Sequence, residues 1–204
     1  MKYILIFNGY PKSGKTTIQN EILNKYPNSY IYSSIKPVIE FLDNIINDYG
    51  SDDLKSKYLK EKSGKTNKYR NLLSDIKLSF YNFDNGVFWN TEILKHVLSF
   101  MDNKSSKFFM IDIREPRHIS SFINYMKAIR GYNKEFRVFS IFVNREHDNL
   151  YLNESDANVE KYKYDFYVNN KKDLTTLKEK VVPELIKNIE CEYLEDLFYE
   201  IWKS

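Results

Sequence analysis

Glycine is scarce in this chain, yet two of its six glycines, Gly9 and Gly14, stand close together directly after the apolar run Tyr3-Ile-Leu-Ile-Phe7. Together they frame Gly9-Tyr-Pro-Lys-Ser-Gly14-Lys15-Thr16, which satisfies the pattern G-x-x-x-x-G-K-[ST]. An unbroken apolar run over residues 3–7 predicts a parallel strand covered on both faces. Residues 14–26, with Ile18, Ile22 and Leu23 on one stripe, predict the helix that follows. A phosphate-binding loop needs strand, turn and helix in that order. Glycines let backbone N–H groups close around phosphate oxygens, and the helix N-terminus adds partial positive charge. Gly9, Lys12, Ser13, Gly14, Lys15, Thr16 and Thr17 are therefore the expected phosphate-binding residues of an ATP site. Lys15 would reach the β- and γ-phosphates, and the Thr16 hydroxyl would ligate Mg²⁺.

A second SGKT occurs at Ser63-Gly64-Lys65-Thr66, but the position of the first glycine is Leu59 and no strand pattern precedes it. It is read as a loop inside the polar stretch 49–66, for which irregular structure is expected. Further apolar runs predict strands at 29–33, 108–112, 136–143 and 166–168. Helical spacing marks a helix from a Ser33 or Ser34 cap through Ile46, one over 67–81, and one after Asn85-Gly86. Pro116 opens another, with Gly131 as its expected C-terminal cap. The final helix begins near Leu174 and must be kinked or divided at Pro183, with a separate amphipathic segment at Leu194–Trp202. Strands alternating with helices predict an α/β fold with a mainly parallel five-stranded sheet, and ligands beyond the C-terminal strand ends.

The length of 204 residues suits one domain. A net charge of +3, from 31 basic and 28 acidic residues, supplies no global field for nucleic acid, and no nucleic-acid partner is expected. The Lys-rich stretch 54–77 and the acidic tail 184–200 read as solvated faces. One cysteine, Cys191, permits no intrachain disulfide, and no apolar run approaches the ~20 residues of a membrane span. A cytoplasmic protein without a membrane partner is the expectation.

Asp112 ends an apolar strand, where a carboxylate can hold Mg²⁺ or its water, with ordinary helix capping as the plainer reading. Arg114 and Arg117 follow in Asp112-Ile-Arg-Glu-Pro-Arg117; their planar guanidinium groups suit phosphate, and a surface ion pair with Glu115 is the alternative. Arg70, Ser74, Lys77 and Tyr81 recur on one side of the 67–81 helix, as a clamp for a second anionic substrate or as a solvated face. Arg145 begins the polar stretch 144–164, which would serve as a lid over the phosphates. His118 and His147 have no partners at metal-ligand spacing and read as surface residues.

Taken with Tyr32-Ser-Ser-Ile-Lys-Pro37, Lys68-Tyr-Arg70, Leu73-Ser-Asp-Ile-Lys77, Glu154-Ser155 and Tyr164-Asp-Phe-Tyr-Val-Asn-Asn170, the loop and Asp112–Arg117 resemble the nucleoside monophosphate kinase group of P-loop proteins. Within the group the chain is most similar to phage-type deoxynucleoside monophosphate kinases and their bacterial relatives, over roughly residues 1–190. The resemblance implies a three-layer P-loop fold with an inserted helical acceptor region at about 34–85 and a short lid at about 144–164. It implies transfer of the γ-phosphoryl of ATP, with Mg²⁺, to a (deoxy)nucleoside monophosphate. Lys15, Asp112, Arg114 and Arg145 would be catalytic, Thr16 and Asp112 metal-holding, and Lys36, Arg70, Lys77 and Arg117 acceptor-binding. The lid region carries a single Arg where many adenylate-kinase-like enzymes use several. Another small phosphorylated acceptor such as dephospho-coenzyme A, or a P-loop NTPase without an acceptor, remains an alternative. The oligomeric state is open, a homodimer among the options.

Overall fold

The computed structural model describes residues 1–132, 134–145, 158–170 and 173–203, with side chains as far as residue 192. Five strands build one sheet: β1 (Lys2–Asn8), β2 (Tyr30–Ser33), β3 (Phe108–Asp112), β4 (Phe136–Arg145) and β5 (Phe166–Asn170). Their order across the sheet is β2-β3-β1-β4-β5, and every pairing is parallel. The central β1 is therefore flanked by strands that come later in the chain. The crossovers leave it to either side, which makes its C-terminal end the switch point where such sheets take ligands.

Side chains alternate across β1, and the two faces feed two cores. Ile4 and Ile6 join Phe109, Ile111, Phe100, Val97, Ile119 and Phe122. The last four belong to α5 (Val87–Asp102) and α6 (Pro116–Lys127). On the other face Tyr3, Leu5 and Phe7 pack with Ile18 and Ile22 of α1 (Lys15–Lys25) and with Leu185, Ile186 and Ile189 of α7 (Val182–Lys203). The result is the α/β three-layer arrangement expected of a P-loop fold, with the sheet all parallel rather than mainly so. Strands buried on both faces explain the near-continuous apolar runs.

A third, smaller core holds Val38, Leu42, Tyr58, Tyr69, Leu73 and Trp89. It joins α2 (Lys36–Tyr49), α3 (Asp52–Gly64) and α4 (Asn67–Asp84) to the start of α5. Helix α3 corrects the expectation of irregular structure over 49–66. Ser51 caps it by accepting the Leu54 N–H at 3.3 Å, Asp52 and Asp53 occupy the first turn, and Tyr58 is its one buried side chain. The second SGKT is the turn from α3 to α4. Lys65 stops α3 at φ 47°, and the Thr66 hydroxyl caps α4 by accepting the Tyr69 N–H at 3.3 Å.

Three boundaries differ from expectation. Helix α2 starts after Ile35 with no side-chain cap, so neither Ser33 nor Ser34 caps it. Helix α6 ends at Lys127, and Gly131 instead turns the chain toward β4, its carbonyl accepting the Glu135 N–H at 2.7 Å. Pro183 divides the final helix as expected: the chain is helical from Leu174, passes through a π-helical turn at Leu177–Val181 and resumes as α7 at Val182, one residue before the proline. What differs is the C-terminal end, where α7 runs unbroken through the terminal segment. Among the described residues no helix is long and apolar enough to cross a membrane.

Candidate active site

Between β1 and α1 the chain reverses through three residues with positive φ: Gly9 at 137°, Lys12 at 62° and Gly14 at 101°. Both glycines are also required by space. A Cβ on Gly9 would stand 2.1 Å from the Val143 carbonyl oxygen, and one on Gly14 would stand 2.2 Å from Asn170 Nδ2. The Lys15 ammonium folds over this turn, donating to the Gly9 carbonyl at 2.7 Å, the Tyr10 carbonyl at 2.9 Å and Ser13 Oγ at 3.3 Å. No side-chain hydrogen bond caps the N-terminus of α1, and the positive end of its helix dipole adjoins the loop. Thr16 is exposed in that first turn, with Thr17 half-buried beside it.

The sheet brings Asp112 alongside. Phe7 pairs with Asp112 at the end of the β1–β3 ladder, and Gln19 Nε2 of α1 donates to Asp112 Oδ1 at 2.9 Å. Burial pushes the Asp112 carboxyl above its ordinary value, against the pull of Lys15, the Gln19 hydrogen bond and Arg114. A carboxylate held in that condition gains from a nearby cation. Arg145, at the end of β4, donates from Nη1 to the Lys12 carbonyl at 3.3 Å, so it reaches the loop from the opposite side.

Beyond these strand ends lies a cavity of about 310 Å³. Lys15 at the start of α1, Asp112 at the end of β3 and Arg114 just after it line one side, and Lys65 of the α3–α4 turn with Arg70, Ser74 and Lys77 of α4 line the other. That volume suits a small-molecule site. The polar stripe of α4 therefore faces Lys15 of the Gly9–Thr16 loop across one cavity, with the exception of Tyr81, whose ring stacks on His118 at 3.7 Å.

Lys77 is buried, which the reading of a solvated basic stretch does not anticipate. Its ammonium lies 3.0 Å from Glu115 Oε2 and 3.4 Å from Ser34 Oγ. His118 Nδ1 lies 3.0 Å from the same Glu115 oxygen. Burial works to raise the Glu115 carboxyl, but Lys77 and the nearby His118 outweigh it and hold the group well below its ordinary range. His118 is a core residue rather than a surface one, and burial lowers its affinity for a proton despite Glu115. Five cationic side chains, Lys15, Lys65, Arg70, Lys77 and Arg114, face the two carboxyls of Asp112 and Glu115 in this lining, a balance that favours an anionic ligand.

Lys36 and Arg117 are not brought to this cavity. Lys36 pairs with Glu40 on the exposed side of α2 at 3.6 Å. Arg117 lies over the Tyr81 ring at 5.1 Å and donates to Asn82 Oδ1 at 3.2 Å. His147, Glu154 and Ser155, with most of the expected lid, lie outside the described residues. Sequence reasoning missed Asn8, Gln19, Lys65, Glu115 and Asn170. A signal existed for two of them: an Asn directly before Gly9 at the end of an apolar strand, and the Asn169-Asn170 pair at the end of another.

No protein-family model matches the chain, and no curated protein matches its sequence. Among solved structures it is similar to TT1252 from Thermus thermophilus, at 11% identity and a TM-score of 0.44, over 94% of this chain and 97% of that one.

Proposed function

We propose that this protein is a kinase that transfers the γ-phosphoryl of ATP to a (deoxy)nucleoside monophosphate. One observation carries the reading: Lys15 at the end of the Gly9–Thr16 loop, Asp112 and Arg114 share a single cavity with Arg70 and Ser74 of an inserted helical layer. A site for two anionic substrates needs this arrangement, with one set of groups for each and a common wall between them. An NTPase without an acceptor has no use for the second set.

The residues present fit ATP and Mg²⁺. N–H groups at the N-terminus of α1, with Lys15, would hold the phosphates. Mg²⁺ takes one or two protein ligands beside phosphate oxygens, and Thr16, exposed in the first turn of α1, and Asp112 at the end of β3 would be those ligands. Bound there, Mg²⁺ would neutralise charge on the phosphates. Lys15 would move from the loop carbonyls to the β- and γ-phosphates, and Arg114 and Arg145 would bear on the transferring charge. Arg70 and Lys65 would bind the acceptor phosphate, whose oxygen is already a nucleophile. Positioning and electrostatics therefore suffice without a general base. Lys77, matched by Glu115, would offer hydrogen bonds to the acceptor rather than net charge.

The test is ADP formation from Mg-ATP across a panel of ribo- and deoxynucleoside monophosphates and dephospho-coenzyme A. ADP production that requires one monophosphate supports the reading. Turnover that is the same with no acceptor present would sink it in favour of an ATPase.

A further inference from the structure

Asn8 is the last residue of β1 and is wholly buried. A buried amide must place every donor and acceptor. Asn8 Oδ1 accepts the Gly9 N–H at 2.8 Å. Its Nδ2 donates to the Arg114 carbonyl at 2.7 Å and to Tyr164 Oη at 2.6 Å. Tyr164 Oη, also buried, donates in turn to the Val159 carbonyl at 2.6 Å. One side chain thus joins the first glycine of the phosphate loop, the Arg114 backbone and the segment leading into β5.

The location of this link matters. The ladder between β1 and β3 runs out at Phe7–Asp112, with one last bond from the Ile113 N–H to the Phe7 carbonyl at 3.2 Å. Past that point the two chains diverge, one into the loop that carries Lys15 and the other into Arg114. The Asn8 amide begins where the backbone bonds end, so it is not needed to register the strands. An apolar residue would fill the position as well for packing alone, and would leave the Gly9 N–H without this acceptor.

We propose that Asn8 is a positioning residue, holding the Lys15 loop and Arg114 at a fixed separation, with Tyr164 fixing the amide's orientation. Its role in catalysis rests on the kinase reading; its role in holding the two segments together does not. The amide touches neither substrate. It acts by keeping two cationic groups pre-organised around the transferring phosphoryl, where a displacement of about 1 Å can lower a rate about 100-fold.

Two measurements test this. The first is a double-mutant cycle of Asn8→Ala and Arg114→Ala on kcat and on KM for each substrate. If Asn8 works through Arg114, Asn8→Ala lowers kcat at least about tenfold with little change in KM, and loses most of that effect once Arg114 is alanine. Effects that multiply independently overturn the proposal. The second is hydrogen exchange in Tyr164→Phe, which keeps the ring and removes only the hydroxyl, so it stands even if Asn8→Ala does not fold. Exchange should quicken in both the 8–16 and 112–117 segments, while 3–7 and 108–111 stay protected. Unchanged exchange, or loosening spread evenly over the sheet, overturns it. If the wild-type protein makes no ADP with any acceptor, the kinase reading fails, and the exchange result still decides whether the amide couples the two segments.

Discussion

Asn170 donates its side-chain amide to the Ser13 carbonyl at 2.8 Å, so the Gly9–Thr16 loop is clamped by the last residue of the edge strand β5. The same amide nitrogen occupies the space that a side chain on Gly14 would need. Gly14→Ala therefore meets two obstacles, the Asn170 amide and a φ of 101°. Gly14→Ala should abolish measurable Mg-ATP binding by calorimetry. Adding Asn170→Ala removes the first obstacle only, so recovery should be partial. Full recovery would mean that the backbone angle is immaterial.

At Gly9 the obstacle is the Val143 carbonyl, which is backbone in the neighbouring strand and cannot swing away. Gly9→Ala should destabilise the fold as well as the site, by about 2 kcal/mol or more in urea denaturation. A variant with wild-type stability would show that the loop can re-form around an alanine.

How much of this was legible in the sequence depended on how local the cause was. Strands β1, β3 and β4 were readable because burial on both faces leaves unbroken apolar runs, whereas the edge strands β2 and β5, part-exposed, left only short ones. The loop was readable because its pattern states a backbone requirement. Helix α3 was hidden by its composition: with Tyr58 as its one buried side chain, it shows no apolar stripe, and Gly50 and Gly64 at its ends resemble a loop. Lys77 lay in a Lys-rich stretch, and the partner that permits its burial, Glu115, is distant in sequence. The roles of Asn8 and Asn170 depend in the same way on the segments that the sheet brings beside them.

Lys15→Ala removes the ammonium that spans the loop and would bear on the transferring phosphoryl. ADP formation should fall by at least about 100-fold. The melting temperature should change by only a few degrees, since the loop glycines keep their conformation. An unaffected rate would show that Gly9–Thr16 is not the working phosphate site.

Arg70 and Lys36 separate the cavity from the surface. Arg70 lines the cavity, its Nε donating to the Lys65 carbonyl at 2.9 Å and so keeping the α3–α4 turn beside it. Arg70→Ala should raise KM for the acceptor about tenfold or more and leave KM for ATP nearly unchanged, because a charge-assisted contact to phosphate is lost. Lys36→Ala breaks only an exposed pair within one helix, worth a few tenths of a kcal/mol, and should alter neither constant. A selective loss of ATP affinity in Arg70→Ala would place that residue on the other substrate.

The Lys77–Glu115–His118 cluster makes stability depend on pH in one direction. His118 binds a proton less readily when folded than at its ordinary value of 6.5, so as pH falls below that value the unfolded chain takes up the proton first and the fold loses stability. Glu115 is held well below its ordinary 4.5, and its contribution is present above that pH and lost as pH falls toward the lower folded value. Both effects destabilise the protein in acid. Lys77→Met leaves the Glu115 charge with its main partner gone, and should cost about 3 kcal/mol near neutral pH. It should also shift the acid limb upward, because the lysine no longer opposes the rise that burial imposes on Glu115. Adding Glu115→Gln removes the uncompensated charge and should restore most of the loss. A double variant no more stable than Lys77→Met would show that the buried charge is not what sets this cost.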